Sequence, residues 1–156
     1  MKRGTWLGAC RAAALLALAL ALPDAGAQSL NDCFVAAGQR YNVSPLLLWS
    51  IAKEESGFNP RAINRNKATA GKRQTYDYGI MQVNDSWLPT LSRYGISRAH
   101  LFDPCVNIHV GAWIFAIGAN RHGYNWQALS AYNTGHPTRG RGYAAKVLGT
   151  AYKYAR

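Results

Sequence analysis

The stretch Ser44-Pro45-Leu46-Leu47-Leu48-Trp49-Ser50-Ile51-Ala52-Lys53-Glu54-Glu55-Ser56-Gly57-Phe58-Asn59-Pro60 reads as an apolar helix with a carboxyl group at its end. Ser44 is a good N-cap, and Pro45 suits the first helical position, where its missing N–H is not needed. Leu48, Ile51, Ala52 and Glu55 recur at i, i+3, i+4 and i+7, so Glu55 continues the apolar stripe while Glu54 points about a quarter turn away. A carboxyl at the margin of an apolar face loses hydration in its charged form. Its pKa rises, and it can hold a proton near neutral pH. Glu55 is therefore the candidate general acid; the competing reading, two solvated helix-end glutamates, is the usual fate of this residue type.

Working outward, a connector from Arg61 to Tyr76, rich in Asn, Lys, Thr and Gly, has no apolar period. It is expected to be a loop containing a small hairpin, and its length suits a wall of a binding cleft. Beyond it comes Asp77-Tyr78-Gly79-Ile80-Met81-Gln82-Val83-Asn84. An acid that protonates a glycosidic oxygen leaves a cationic sugar, and a second carboxylate within reach can steady it. The two phrases together look like a sugar-cleaving site, with Glu55 as acid and Asp77 as electrostatic stabiliser. The alternative for Asp77 is a side-chain cap on the Tyr78-Gly79 turn.

The rest of the chain reads as helical. Leu30 to about Tyr41 forms one segment. Asp103-Pro104 repeats the helix-start signal ahead of Val106, Val110, Trp113, Ile114 and Ile117 at helical spacing. Asn125 caps a short helix through Tyr132, and a last helix carries Tyr143, Val147, Leu148 and Ala151 on one stripe. The expectation is a single, mainly α domain with a small loop or hairpin region beside the cleft.

The first segment is excluded from that domain. Lys2, Arg3 and Arg11 precede an apolar run from Ala12 to Leu22, too short to span a bilayer, and Ala25-Gly26-Ala27 has the small-residue pattern of a cleavage site. Residues 1–27 are expected to be a secretory signal cut before Gln28, leaving a domain over 28–156. Leu7-Gly8-Ala9-Cys10 precedes the apolar run instead of following it, so no lipid anchor is expected. Removing this segment takes away three cations and one anion, so the formal charge falls from +11 to +9.

Two cysteines, Cys33 and Cys105, remain in an oxidising compartment, where one intramolecular pairing is open to them. Such a disulfide would restrict the unfolded chain by about 4 kcal/mol in the loop-entropy account. The positive charge fits either a solvated face or an acidic polymer such as the cell wall. Arg61, Arg65, Lys67, Lys72, Arg73, Arg139 and Arg141 are scattered without any groove-reading motif, and export weighs against nucleic acid.

Glu55-Ser56-Gly57-Phe58-Asn59-Pro60, Gly79-Ile80-Met81-Gln82 and Ala131-Tyr132-Asn133, in that order, resemble the soluble lytic transglycosylase family. The similarity spans essentially all of 28–156. With Cys33 and Cys105 it resembles the single-domain branch associated with type III and type IV secretion, conjugation and pilus machines. The resemblance implies a lysozyme-like fold that cuts the MurNAc-GlcNAc bond of peptidoglycan without water. Glu55 would protonate the leaving oxygen and then, as a base, help the 6-hydroxyl of the muramic acid form a 1,6-anhydro sugar. It further implies Ser56, Met81, Gln82, Asn84, Tyr132 and Asn133 as substrate-binding residues, Ser56 bonding near the acid, Met81 packing on a sugar ring, and Tyr132 and Asn133 opposite Glu55. Each has a plainer competitor, such as core filler for Met81 or a half-buried aromatic for Tyr132. The setting implied is a periplasmic monomer acting on peptidoglycan glycan strands beside an envelope-spanning apparatus.

The sequence departs from the simplest family pattern at Asp77, where many members lack an acid. Asp77-Tyr78-Gly79-Ile80 also resembles animal lysozymes, so a hydrolase using Glu55 and Asp77 stays open. So does a non-catalytic wall-docking protein. No cofactor is called for. His100, His109, His122 and His136 lack ligand spacing and are expected at the surface, with no metal. The segment Gly135 to Gly142 is expected to be a mobile cleft edge.

Overall fold

The computed structural model describes residues 29–156 apart from 69, 70 and 72. The expected signal segment, 1–27, lies outside the described residues. Among the described residues, six helices and a three-stranded antiparallel sheet follow in the order α1 (Leu30–Tyr41), α2 (Pro45–Ser56), β1 (Ile63–Arg65), β2 (Tyr76–Tyr78), β3 (Val83–Asn84), α3 (Leu88–Leu91), α4 (Pro104–His122), α5 (Trp126–Thr134) and α6 (Arg141–Tyr154). The expectation of a mainly α domain with a small hairpin region is met.

The start signals act as read. The Leu47 N–H donates to Ser44 Oγ, Val106 N–H to Asp103 Oδ1 at 2.9 Å, and Gln127 N–H to Asn125 Oδ1 at 2.8 Å, each satisfying an otherwise orphaned donor. α5 runs on to Thr134, two residues past the expected end. From Asp85 to Phe102, where the sequence offered no assignment, three short 3-10 turns flank the one-turn α3.

α4 lies at the centre, packed between α1 and α5, while α6 closes on α2 and α5. Burial of Asn107, Ile108, Gly111, Ala112 and Phe115 as well as Val110 and Ile114 makes α4 a core helix and not an amphipathic one. On α6 the buried pair is Ala144 and Val147; Leu148, expected on the inner stripe, is 45% exposed. Cys33 and Cys105 are disulfide-bonded, with Cα atoms 5.1 Å apart, joining α1 to the first turn of α4.

The connector is a hairpin more than a loop. β1 pairs with β2 so that Asn64 lies opposite Asp77, and β2 pairs with β3 so that Asp77 lies opposite Asn84. Arg73 forms an ion pair with Asp85 at 3.0 Å, tying the hairpin connection to the turn after β3. The Gly135–Gly142 segment is pinned, contrary to the expected mobile edge. Ser130 Oγ donates to the His136 carbonyl at 2.7 Å and accepts from Gly140 N–H at 2.7 Å.

Candidate active site

Glu55 sits in the last turn of α2, half-buried, one residue from exposed Glu54. Glu54 turns to α6, where it accepts from Thr150 Oγ1 at 2.6 Å. Burial pushes the Glu55 carboxyl up from 4.5 to about 7; the Tyr143 hydroxyl opposes this, and the charges of Asp77 and Glu54 add to it. At neutral pH the group is thus divided between its acid and base forms, which suits a residue that must give a proton and take one back. Tyr143, near the start of α6, has a buried hydroxyl that makes no hydrogen bond of ordinary geometry among the described residues. Its O–H bears on the Glu55 carboxyl, and burial followed by the charge of Glu55 drives its own pKa far upward.

Asp77 occupies the middle strand and is held by three amides. Asn84 Nδ2 donates to Oδ1 at 2.6 Å, and Asn66 Nδ2 and Asn64 Nδ2 donate to Oδ2 at 2.9 and 3.3 Å. Sheet register causes this. Asn64 and Asn84 lie directly across from Asp77, and Asn66, two residues on, shares the face of Asn64. The carboxylate is therefore fixed in orientation, and the reading in which it caps the Tyr78-Gly79 turn is set aside. Its charge bears on both Glu55 and Tyr132.

The loop between β2 and β3 is stapled from behind by Asn107, fully buried on α4. Its Nδ2 donates to the carbonyls of Tyr78 (2.9 Å) and Leu101 (2.8 Å), and its Oδ1 accepts from Met81 N–H at 2.7 Å. Gly79 is required here. Its φ is +76°, and a Cβ would stand 2.3 Å from the Leu101 carbonyl oxygen.

Four expected sugar contacts take other positions. Met81 is 0% exposed and packs on Gly111, so its side chain fills the core and does not meet a sugar ring. Ser56 does not bond the acid: its hydroxyl donates to the Ile80 carbonyl at 2.8 Å and accepts from Asn59 N–H, joining the two sequence phrases. Tyr132 donates to the Met81 carbonyl at 2.7 Å, its phenol pushed well above its usual range by burial and then by the charges of Glu55 and Asp77. Of the two phenols, Tyr143 is the one whose hydroxyl lowers the Glu55 pKa. Asn84 spends its amide on Asp77 and its oxygen on Ser86 N–H, so it positions the carboxylate.

Gln82, in the left-handed region at φ +50°, uses Nε2 to hold the carbonyls of Gly79 and Ala62. Its Oε1 has no partner among the described residues. Asn133 is exposed near the end of α5, with no side-chain bond among the described residues.

The sequence reading missed Asn64, Asn66 and Tyr143. The Asn64-x-Asn66 spacing inside a polar connector was the available signal for the first two, since alternate residues of a strand share a face. Tyr143 was read only as part of a helix stripe. Of the four histidines expected at the surface, His109 and His122 are half-buried, His109 in a cavity beside Arg40.

The profile of the Transglycosylase SLT domain matches residues 32–148. Among curated proteins, the chain is 42% identical over 106 residues to the X polypeptide of Escherichia coli (strain K12), covering 67% of this chain and 60% of that protein. It is 36% identical over 121 residues to the invasion protein IagB of Salmonella typhimurium (strain SL1344), covering 74% and 72%. It is also 40% identical over 105 residues to the protein IpgF of Shigella flexneri, covering 67% and 66%. Among solved structures, an inactive mutant of lytic transglycosylase Slt from Pseudomonas aeruginosa superposes with a TM-score of 0.61 at 22% identity, over 79% of this chain and 23% of that one. The 70 kDa soluble lytic transglycosylase SLT70 of Escherichia coli gives 0.53 at 24% identity, over 81% and 19%. These two share the fold, and from the match over 32–148 the chain belongs to the Transglycosylase SLT domain family.

Proposed function

We propose that this chain is a peptidoglycan lytic transglycosylase in which Glu55 carries both proton transfers and Asp77 stabilises the cationic transition state. The observation that carries this reading is the pairing of a half-buried carboxyl with a pKa of about 7 and a second carboxylate fixed by three asparagines. In the first step Glu55 donates its proton to the glycosidic oxygen as the bond to the anomeric carbon breaks. Positive charge grows on the sugar while Asp77, already oriented, needs no rearrangement to oppose it. In the second, ionised Glu55 takes the proton of the muramic acid 6-hydroxyl as that oxygen attacks the same carbon, giving a 1,6-anhydro end and restoring the acid. Burial supports the exclusion of water from this exchange. Gln82 Oε1 and exposed Asn133 are the groups left to accept or donate hydrogen bonds to the N-acetyl sugars.

The fixed Asp77 also favours a second reading, hydrolysis with the same acid, since an oriented carboxylate serves either chemistry. A wall-docking protein without activity would have no use for a carboxyl held near neutrality. The protein is read as a periplasmic monomer, freed of residues 1–27, that opens the wall beside a secretion, conjugation or pilus machine. Among the described residues no helix is long and apolar enough to cross a membrane. The likeness to an invasion protein supports that setting.

The test is solubilisation of purified peptidoglycan. Glu55→Gln is expected to lower the rate at least ~100-fold, and Asp77→Asn on the order of tenfold. Undiminished release by Glu55→Gln would overturn the proposal.

A further inference from the structure

A cavity of about 760 Å3 opens between the C-terminal end of α1, the 91–100 segment and α4, and none of the residues assigned to the active site lines it. At about 100° per residue, Val106, His109, Val110 and Trp113 occupy one side of α4. Asn107 and Gly111, which carry the active-site loop, lie about 110° and 150° round the helix from the middle of that side. The cavity is a separate feature with its own chemistry, of a size that holds a few residues of peptide.

Its floor is apolar, made by Leu91, Ile96, Val106 and Val110, and three aromatic rings wall it: Tyr41, Trp113 and Tyr94, the last 72% exposed at the mouth. The one side chain of the lining with a fixed charge is a cation, Arg40. Arg40 lies over the Tyr41 ring at 5.7 Å. Ser97 N–H donates to His100 Nδ1, leaving the ring proton on Nε2. Burial and then the charge of Arg40 hold His109 below its ordinary pKa, so Arg40 is the standing charge of the cavity.

Arg93 and Arg98 are exposed on the same 91–100 segment, outside the lining itself. Among the described residues none of these three arginines has an ion-pair partner. No carboxylate lines the cavity. Asp103, the acid adjoining α4, caps Val106 N–H and is not part of the lining.

We propose that this cavity docks an acidic peptide segment of a partner protein, with an aromatic or branched side chain in the apolar floor and a neighbouring carboxylate on Arg40. Charge complementarity selects the sign, because a carboxylate accepts paired N–H bonds from the Arg40 guanidinium while a cationic ligand would meet only repulsion. The apolar floor selects peptide over glycan, since a sugar's hydroxyls would be left unpaired there. The inference is independent of the chemistry at Glu55, so failure here leaves that reading standing.

The experiment titrates the purified protein, observed by NMR, with the acidic peptide acetyl-Glu-Leu-Asp-Phe-Glu-Leu-amide. The same sequence with lysine at the three acidic positions and a disaccharide-tetrapeptide muropeptide serve as comparisons. Expected are shifts centred on Ile96, His109 and Trp113 with the acidic peptide, and binding weakened at least ~tenfold by Arg40→Glu or Tyr94→Ala. Both variants are expected to solubilise peptidoglycan at the unmodified rate. The proposal is overturned by equal binding of the lysine peptide, by indifference to Arg40→Glu, by no shift at these residues, or by the muropeptide binding there in place of the peptide.

Discussion

Replacing Glu55 by glutamine removes a charge that the fold holds at a disadvantage, so the variant is expected to gain stability in a way that depends on pH. The carboxyl titrates at about 7 in the folded protein against 4.5 when solvated. At 1.36 kcal/mol per pH unit, that gap is worth about 3 kcal/mol. The sign follows from proton counting. Between the two values the folded state binds more protons than the unfolded state, so stability contributed by this group is full below pH 4.5 and is lost as pH rises through 7. Glutamine does not titrate. Urea denaturation of both proteins from pH 4 to pH 8 isolates the effect, because the other groups cancel in the difference. The advantage of Glu55→Gln should grow by about 3 kcal/mol across that window, with the denaturant slope unchanged. A difference that stays flat with pH would refute the claim that burial raises this carboxyl.

Three further outcomes follow from the same geometry. Because the Tyr143 hydroxyl lowers the Glu55 pKa, Tyr143→Phe should move the alkaline limb of the pH–rate profile upward from its position near 7; an unmoved limb would remove Tyr143 from the site. Asn107→Ala should destabilise the fold by roughly 3 kcal/mol or more, measured by denaturation, since it orphans the Met81 N–H and two carbonyls in the core. Replacing Cys33 and Cys105 by serine opens a link spanning 72 residues and should lower stability by about 4 kcal/mol.

What the sequence made legible was local. Ser44-Pro45, Asp103-Pro104 and Asn125 announce helix starts because each cap is chemistry within three residues, and all three hold. Glu55 was legible because its place on the stripe already implies desolvation. The asparagine clamp on Asp77 was not, since it depends on cross-strand register between Asn64, Asp77 and Asn84, set by a hairpin with no apolar alternation. Met81 misled for the opposite reason. It stands in a motif beside the site, but the missing side chain at Gly111, thirty residues later, opens the core space that it fills. Ser56 and Tyr132 were placed in the right neighbourhood and given the wrong partners, because their hydroxyls answer backbone carbonyls that no sequence pattern displays.

In the proposed reaction Glu55 passes a proton out and back with the substrate's own hydroxyl as nucleophile. Mass spectrometry of the muropeptides released from purified peptidoglycan tests it most directly, because the anhydro product lacks the water that hydrolysis adds. The unmodified protein should release 1,6-anhydro-muropeptides and Glu55→Gln none. Reducing-end products would contradict that reaction and make this fold, with its fixed Asp77, a hydrolase.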